Sequence, residues 1–199
     1  MRRNKLLEAV VVVALLVFSA SYAYADEEFF ARLNGFQEVG GLGAGQTGAI
    51  RTNGTGTLHL KVDKNAKTAT FTLTYSDLGT TPPGTGTVTQ AHIHFGRRHV
   101  GGGIMVFFCS NLANPPAGTP ACPVNSGTVS GTFTAASVIG PTAQNIGAGD
   151  FEAFVDALRA NAAYANVHTT SFPAGEIRGQ IHKDNRRDDK DHDGNHNGR

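Results

Sequence analysis

The sequence predicts an all-β protein, an antiparallel Greek-key β-sandwich or barrel with one short helix. Three observations support this: only 17% of the 199 residues are charged, 25 are glycine, and short stretches of alternating apolar and polar residues recur between turns rich in glycine and proline. Long amphipathic helices need a charged face, which argues against a helical bundle. The formal net charge of +1 provides no field that would hold nucleic acid or an anionic membrane.

The first 25 residues have the pattern of a signal peptide. Basic residues open the chain, an apolar run extends from Leu6 to Phe18, and Ala23 and Ala25 supply the small residues that a signal peptidase reads. The apolar run is too short to cross a bilayer comfortably, which disfavours a membrane anchor. We therefore expect cleavage after Ala25, a secreted or periplasmic protein, and no stable membrane insertion after cleavage.

Residues 26–182 are expected to form one domain of short strands. The clearest element is a hairpin, in which residues 54–62 and 68–75 alternate apolar and polar positions on either side of a turn. The same alternation predicts further strands at 88–95, 103–109, 127–134, 164–169 and 176–182. One segment has helical spacing instead: Asp150 can cap a helix whose apolar residues recur at i, i+3, i+4 and i+7, namely Phe151, Phe154, Val155 and Leu158.

The two cysteines of the chain are Cys109 and Cys122. In an exported protein a single pair of cysteines favours a structural disulfide over two free thiols or a metal site. Closing a loop of this size stabilises the fold by about 3 kcal/mol in the chain-entropy model. We therefore expect a disulfide between them.

The composition changes at Lys183, because residues 183–199 are almost all charged, asparagine or glycine. A segment without apolar side chains cannot bury enough surface to offset its ordering entropy, so a disordered tail is expected. Within it Asp189, Asp191 and Asp193 match the first half of an EF-hand calcium loop, but the acid expected at the twelfth position falls beyond Arg199. A solubilising tail is favoured, with weak calcium binding as the alternative.

Two of the eight histidines form a His-x-His pair on a predicted strand. Since side chains alternate along a strand, Ile93 should face the core, and His92 and His94 should project outward together from the opposite face. The same argument turns His168 outward on the strand of residues 164–169. If these two strands are neighbours, the three imidazoles can share one metal ion, for which copper or zinc is suited.

Other polar residues have less specific interpretations. Outward histidines can hydrogen-bond on a polar face without any metal, which is the alternative for the three named above. His99, in a glycine-flanked loop, is a candidate fourth ligand, whereas His59 has the position of an ordinary exposed strand residue. Glu176 and Arg178 lie two residues apart on a predicted strand and are expected to form a surface ion pair worth under about 1 kcal/mol.

Three blocks of the sequence resemble the CHRD (chordin-repeat) domain family. They are Phe29-x-Ala31-x-Leu33-x-Gly35-x-Gln37-Glu38-Val39, Ala91-His92-Ile93-His94-x-Gly96, and Asn166-Val167-His168-Thr169-x-x-Phe172-Pro173-x-Gly175-Glu176-Ile177-Arg178-Gly179-Gln180. The resemblance covers nearly all of Phe29 to Ile181 and implies an extracellular module. It does not imply the growth-factor antagonism of animal chordin, which is usually attributed to neighbouring cysteine-rich modules that this chain lacks.

A weaker resemblance is to the copper–zinc superoxide dismutase fold. That family also places a His-x-His on one barrel strand and a further copper-binding histidine on a later strand, and His92, His94 and His168 are similar to that arrangement. The bridging histidine and nearby aspartate that build the family's zinc site have no counterpart in the following loop.

Three functional hypotheses follow. The first is a secreted metal-binding module, with copper held by His92, His94 and His168 and zinc as the alternative. The second is a structural or adhesive extracellular module without metal, whose protein partner the sequence does not identify. The third, a redox enzyme related to superoxide dismutase, is the least favoured, because the sequence indicates neither an open metal position nor a route for charge. Serine-hydrolase and nucleotide-binding motifs are missing as well.

Overall fold

The computed structural model describes residues 26–40 and 48–184, which contain nine β-strands and one α-helix. The elements are β1 (Glu27–Asn34), β2 (Thr55–Asp63), β3 (Thr68–Ser76), β4 (Val88–Phe95), β5 (Gly103–Ser110), β6 (Gly127–Phe133), α1 (Phe151–Arg159), β7 (Ala163–Thr169), β8 (Ile177–Gln180) and β9 (His182–Lys183). The expected signal peptide of residues 1–25 and the calcium-like half-loop of the tail lie outside the described residues. The all-β fold with a single helix is confirmed.

The strands form one antiparallel sheet in the order β5-β4-β7-β8-β1-β2-β3-β6, with β9 added to β1. The predicted hairpin is β2–β3, which pair in continuous register from Thr55↔Ser76 to Asp63↔Thr68. Neighbours that are distant in sequence, such as β4–β7 and β3–β6, require the crossovers that are typical of Greek-key proteins. The two end strands, β5 and β6, come into contact, so the sheet is a nearly closed barrel.

The inward faces of the strands form the core, and aromatic rings occupy its centre. Phe71 stacks on Phe133 with ring centroids 4.4 Å apart and meets the edge of Phe108 at 5.0 Å. Helix α1 packs against this cluster through Phe154, whose ring lies 6.1 Å from that of Phe133. The predicted cap is present: the Asp150 carboxylate accepts a hydrogen bond of 2.9 Å from the backbone N–H of Ala153.

The expected disulfide joins Cys109 in β5 to Cys122. The loop between them is further held by Asn111, whose side-chain amide donates to the carbonyls of Val88 and Cys122 and whose Oδ1 accepts from the Cys122 N–H. The loop is therefore anchored to the barrel at both of its ends.

The paired backbone continues past the expected start of the tail. Lys183 pairs with Phe29 as part of β9, and the N–H of Asp184 donates to the carbonyl of Glu28 at 2.8 Å. The ordered backbone therefore extends two residues, Lys183 and Asp184, into the segment that composition assigned to the tail. Composition does not reveal backbone pairing of this kind.

Candidate metal centre

His92 and His94 on β4 and His168 on β7 lie on one face of two neighbouring strands. The antiparallel register of β4 and β7 places His92 opposite Asn166 and Gln90 opposite His168, so His92 and His168 are diagonal neighbours. One ring nitrogen from each of the three imidazoles lies within 4.8 Å of the others. The predicted cluster required β4 and β7 to be neighbours, and they are.

The three imidazoles are buried, although the sequence led us to expect outward, exposed side chains. They lie on the face opposite Ile93, as predicted, but His92, His94 and His168 are only 0%, 8% and 6% exposed. The loop of residues 96–102 and the turn at Pro173 both contact the rings from outside. The alternation of a strand identifies a face, whereas its exposure depends on what covers that face.

The pairing of β4 with β5 is irregular at both histidines of the His-x-His pair. Register shifts fall between Ala91 and His92 and between Ile93 and His94, while the pairing with β7 is regular through the same stretch. Bulges of this kind turn side chains and are common beside functional sites. On the β5 side, the ring of Phe107 meets the His92 ring edge-on with centroids 4.3 Å apart.

Backbone carbonyls fix the orientation of two of the rings. His94 Nδ1 lies 2.9 Å from the Gly102 carbonyl oxygen, and His168 Nδ1 lies 3.0 Å from the Pro173 carbonyl oxygen. A carbonyl only accepts, so both Nδ1 atoms carry the proton and both Nε2 atoms present a lone pair. His94 Nε2 is buried and has no hydrogen-bond partner in the described part of the chain. Donation from the second ring nitrogen is the usual support of a metal-binding histidine.

His92 completes the cluster through its Nδ1, which lies 3.1 Å from His168 Nε2. Without a metal, this contact is a hydrogen bond from His92 to His168. Two metal–nitrogen bonds of about 2.0 Å at an angle of about 100° also place two nitrogens about 3.1 Å apart. The same spacing is therefore compatible with a shared ion.

A stack of side chains supports His94 from the side. The phenol ring of Tyr164 lies parallel to the His94 imidazole with centroids 4.8 Å apart, and the Arg178 guanidinium carbon lies 3.6 Å from the centroid of the same phenol ring. Tyr164 Oη accepts from the N–H of Gly102, the residue whose carbonyl holds His94. Arg178 Nη2 donates to the carbonyls of Arg97 and Val100, so one guanidinium holds both the stack and the covering loop.

Burial keeps the three imidazoles neutral. Desolvation lowers the pKa of His92 to about 2, with smaller contributions from the two neighbouring histidines. It also lowers the pKa of His94 and of His168 to about 4, opposed in each case by the hydrogen bond to a backbone carbonyl. Neutral imidazole is the form that binds metal ions.

A buried carboxyl group lies in the next row of this face. The strand register places His92, Asn166 and Arg178 side by side on β4, β7 and β8, and Glu38 accepts a hydrogen bond from the Asn166 amide. Burial raises the pKa of Glu38 to about 7, while the charge of Arg178 acts in the opposite direction. The carboxyl group of Glu38 is therefore mostly protonated, and uncharged, in slightly acidic solution.

The prediction that Glu176 and Arg178 form a surface ion pair is wrong. Both residues are buried, and they bind different partners. The Glu176 carboxylate accepts from the hydroxyls of Thr52 and Thr169 and from the N–H of Gly79. This one carboxylate joins three other segments to its own, and these hydrogen bonds explain its burial without a cation.

Two other described histidines, His99 and His59, are not part of the cluster. His99 is exposed in its loop and is absent from the triad's set of converging nitrogens, and His59 is exposed on β2 as expected. Tyr164 and Asn166 were not predicted as part of this site, although alternation along β7 places both of them on the same face as His168. Nothing in the sequence connects Glu38 to this site.

Comparison with known proteins identifies the family. No described helix is long and apolar enough to cross a membrane. Neither a curated protein nor a solved structure matches the chain. The family model of the CHRD domain matches residues 29–181, which include every strand of the sheet from β2 to β8 and all three clustered histidines. The chain therefore belongs to the CHRD domain family.

Proposed function

We propose that this protein is a secreted metal-binding module that holds copper through His92, His94 and His168. The observation that carries the proposal is the environment of the two ring nitrogens of His94. Its Nδ1 is held by a carbonyl, whereas its Nε2 is buried and lacks a hydrogen-bond partner in the described part of the chain, close to the imidazoles of His92 and His168. An unpaired buried nitrogen destabilises the fold unless a ligand satisfies it.

Copper is favoured by the chemistry of the donors. The cluster contains three neutral imidazoles, and the described cysteines are both in the disulfide, so no thiolate competes. Imidazole suits copper and zinc, and the order of divalent affinities places Cu(II) above Zn(II). Burial of all three ligands restricts access by a substrate, which supports storage, delivery or sequestration of the metal as the role.

Titration of the purified protein with Cu(II) and Zn(II) tests this proposal. Because the tail carries His192 and His196, the reference protein should bear His192→Gln and His196→Gln. Calorimetry is expected to show one submicromolar copper site per chain, weaker zinc binding, and nitrogen couplings in the Cu(II) electron-spin spectrum. In that background, His94→Gln with His168→Gln should weaken binding at least about a hundredfold.

His59→Gln is the matched control, since it removes an exposed strand imidazole and should leave binding unchanged. Absence of saturable binding would contradict the proposal, as would a double variant that binds copper like the reference while circular dichroism shows an intact fold. N-terminal sequencing of the exported protein tests secretion separately, with Asp26 as the expected first residue.

The contact of His92 Nδ1 with His168 Nε2 at 3.1 Å favours one alternative, a structural module without metal. In that case the histidine pair serves as a buried hydrogen bond. The double variant would then lose stability in the presence of a chelator, and titration of the reference protein would show no site.

A further inference from the structure

A cavity of about 580 Å³ lies on the outer face of the barrel beside the candidate metal centre. Its walls come from β1, from β8, from His182, and from the covering loop at Arg98 and His99. None of the three clustered histidines lines it. We refer to this cavity as the arginine groove, after Arg32, Arg98 and Arg178 in its lining.

The charges of the arginine groove all have one sign. Three guanidinium groups line it, together with the imidazoles of His99 and His182, and no lining residue carries a carboxylate. Among the described residues, the ion pairs involve other side chains, and none of these three arginines takes part. Like charges gathered around one cavity repel each other, and an oxyanion bound between them removes that repulsion.

Unpaired polar atoms give an independent indication of a ligand. Five buried side-chain nitrogen and oxygen atoms lack a hydrogen-bond partner in the described chain. Two of them are imidazole nitrogens of the metal centre, and the other three belong to residues lining the arginine groove: Asn34 Oδ1, Arg178 Nη1 and Gln180 Oε1. Native folds leave few such atoms, and their concentration at one cavity requires an explanation.

A ligand that satisfied these atoms would need two kinds of group. Arg178 Nη1 is a donor and needs an acceptor such as a carboxylate oxygen, whereas the Gln180 oxygen is an acceptor and needs a donor such as a hydroxyl. The Gln180 amide nitrogen already donates to three backbone carbonyls, including that of Ala163, which fixes its oxygen as the unpaired end. A ligand that carries both an oxyanion and hydroxyl groups satisfies both requirements.

An apolar surface completes the lining. Phe36 is 73% exposed, and Phe30 lies beneath the Arg32 guanidinium at 5.8 Å. A large exposed aromatic side chain at the rim of a charged cavity is typical of a binding site, where it packs against the carbon skeleton of the ligand. We propose that the arginine groove binds a hydroxylated organic oxyanion, with a sugar acid as the simplest representative.

This proposal is independent of the metal centre, so the test uses metal-free protein in the presence of a chelator. The probes are glucuronate, which carries a carboxylate and hydroxyls, methyl glucoside, which carries hydroxyls alone, and inorganic sulfate, which is an anion alone. Calorimetry is expected to show saturable glucuronate binding, at least about tenfold tighter than binding of either partial probe. The affinity should fall as salt is added, because exposed arginines are screened.

Variants locate the site. Arg32 and Arg98 are exposed, so Arg32→Gln and Arg98→Gln should leave the fold intact and weaken glucuronate binding at least about tenfold each. Arg97→Gln is the matched control, since it makes the same charge change one residue away, on a side chain that lines a different cavity. Three results would overturn the proposal: no saturable glucuronate binding, sulfate binding as tightly as glucuronate, or Arg97→Gln weakening binding as much as Arg98→Gln.

Discussion

At the scale of single residues, Glu38 determines part of the pH dependence of stability. Glu38 is 4% exposed, and burial raises the pKa of its carboxyl group from 4.5 to about 7. Below pH 4.5 the group is protonated in both the folded and the unfolded protein, and its contribution to stability is complete. As the pH rises to 7, the unfolded chain ionises first, so stability is lost progressively across that window.

The variant Glu38→Gln should remove this loss. Glutamine retains the oxygen that accepts from Asn166 and carries no charge. The difference in unfolding free energy between the variant and the wild type should increase in favour of the variant by about 3 kcal/mol as the pH is raised from 4.5 to 8. Urea unfolding at several pH values measures this difference. A stability difference that is the same at pH 4.5 and pH 8 would contradict the raised pKa.

Glu176 is a buried carboxylate that serves as a junction between segments. Its oxygens accept from Thr52, Thr169 and Gly79, and Glu176→Gln would turn an amide donor toward those donors. We expect unfolding free energy to fall by about 2–3 kcal/mol. Glu152→Gln, on the exposed surface of α1, is the control and should change stability by less than about 0.5 kcal/mol. Equal effects of the two substitutions would show that the junction contributes nothing.

At the scale of elements, two loops make specific contacts with the barrel in addition to connecting its strands. The loop of residues 96–102 is held by Arg178 from β8 and by the Gln180 amide, which donates to the Gly96 carbonyl. This loop in turn supplies the carbonyl of Gly102 that orients His94. A residue of β8 therefore positions a candidate ligand on β4, two strands away in the sheet.

The second connection is the loop closed by Cys109 and Cys122, which are 13 residues apart in sequence. Replacing both cysteines by alanine should lower the unfolding free energy by about 3 kcal/mol, since the unfolded chain regains the entropy that the cross-link removes. Chemical denaturation of the variant and of the wild type measures the difference. A reductant should destabilise the wild type alone; if it also destabilises the double-alanine variant, the loss has another cause.

At the scale of the whole molecule, metal binding and folding should be coupled. The three histidines come from β4 and β7, which lie together only in the folded sheet, so the unfolded chain has no preformed site. At a free copper concentration of one hundred times Kd, stability should rise by about 2.7 kcal/mol. For a chain of this size that corresponds to an increase in Tm of about 5–10 °C.

Calorimetric scans with copper and with a chelator measure this coupling. The increase should disappear in the variant that combines His94→Gln with His168→Gln and should persist in His59→Gln. An unchanged Tm with copper in the unsubstituted protein would contradict binding to the folded state.

The sequence by itself determined most of the elements and the pairing of one hairpin, β2–β3. Alternation with a period of two located the strands from β2 to β8 but not β1, and a capped segment of helical spacing located α1 at Phe151–Arg159. A single pair of cysteines left one possible disulfide, and the spacing of His92 and His94 placed them on one face. These features depend on neighbours within a few residues, which a sequence displays directly.

The tertiary structure alone decided how that face is covered and what surrounds it. His92 and His168 are 76 residues apart, and their contact depends on the crossover that makes β4 and β7 neighbours. Burial of the imidazoles depends on a covering loop and turn, and the separation of Glu176 from Arg178 depends on partners that are distant along the chain. Alternation fixes the direction of a side chain, whereas its burial, its pKa and its partners depend on segments brought near it by folding.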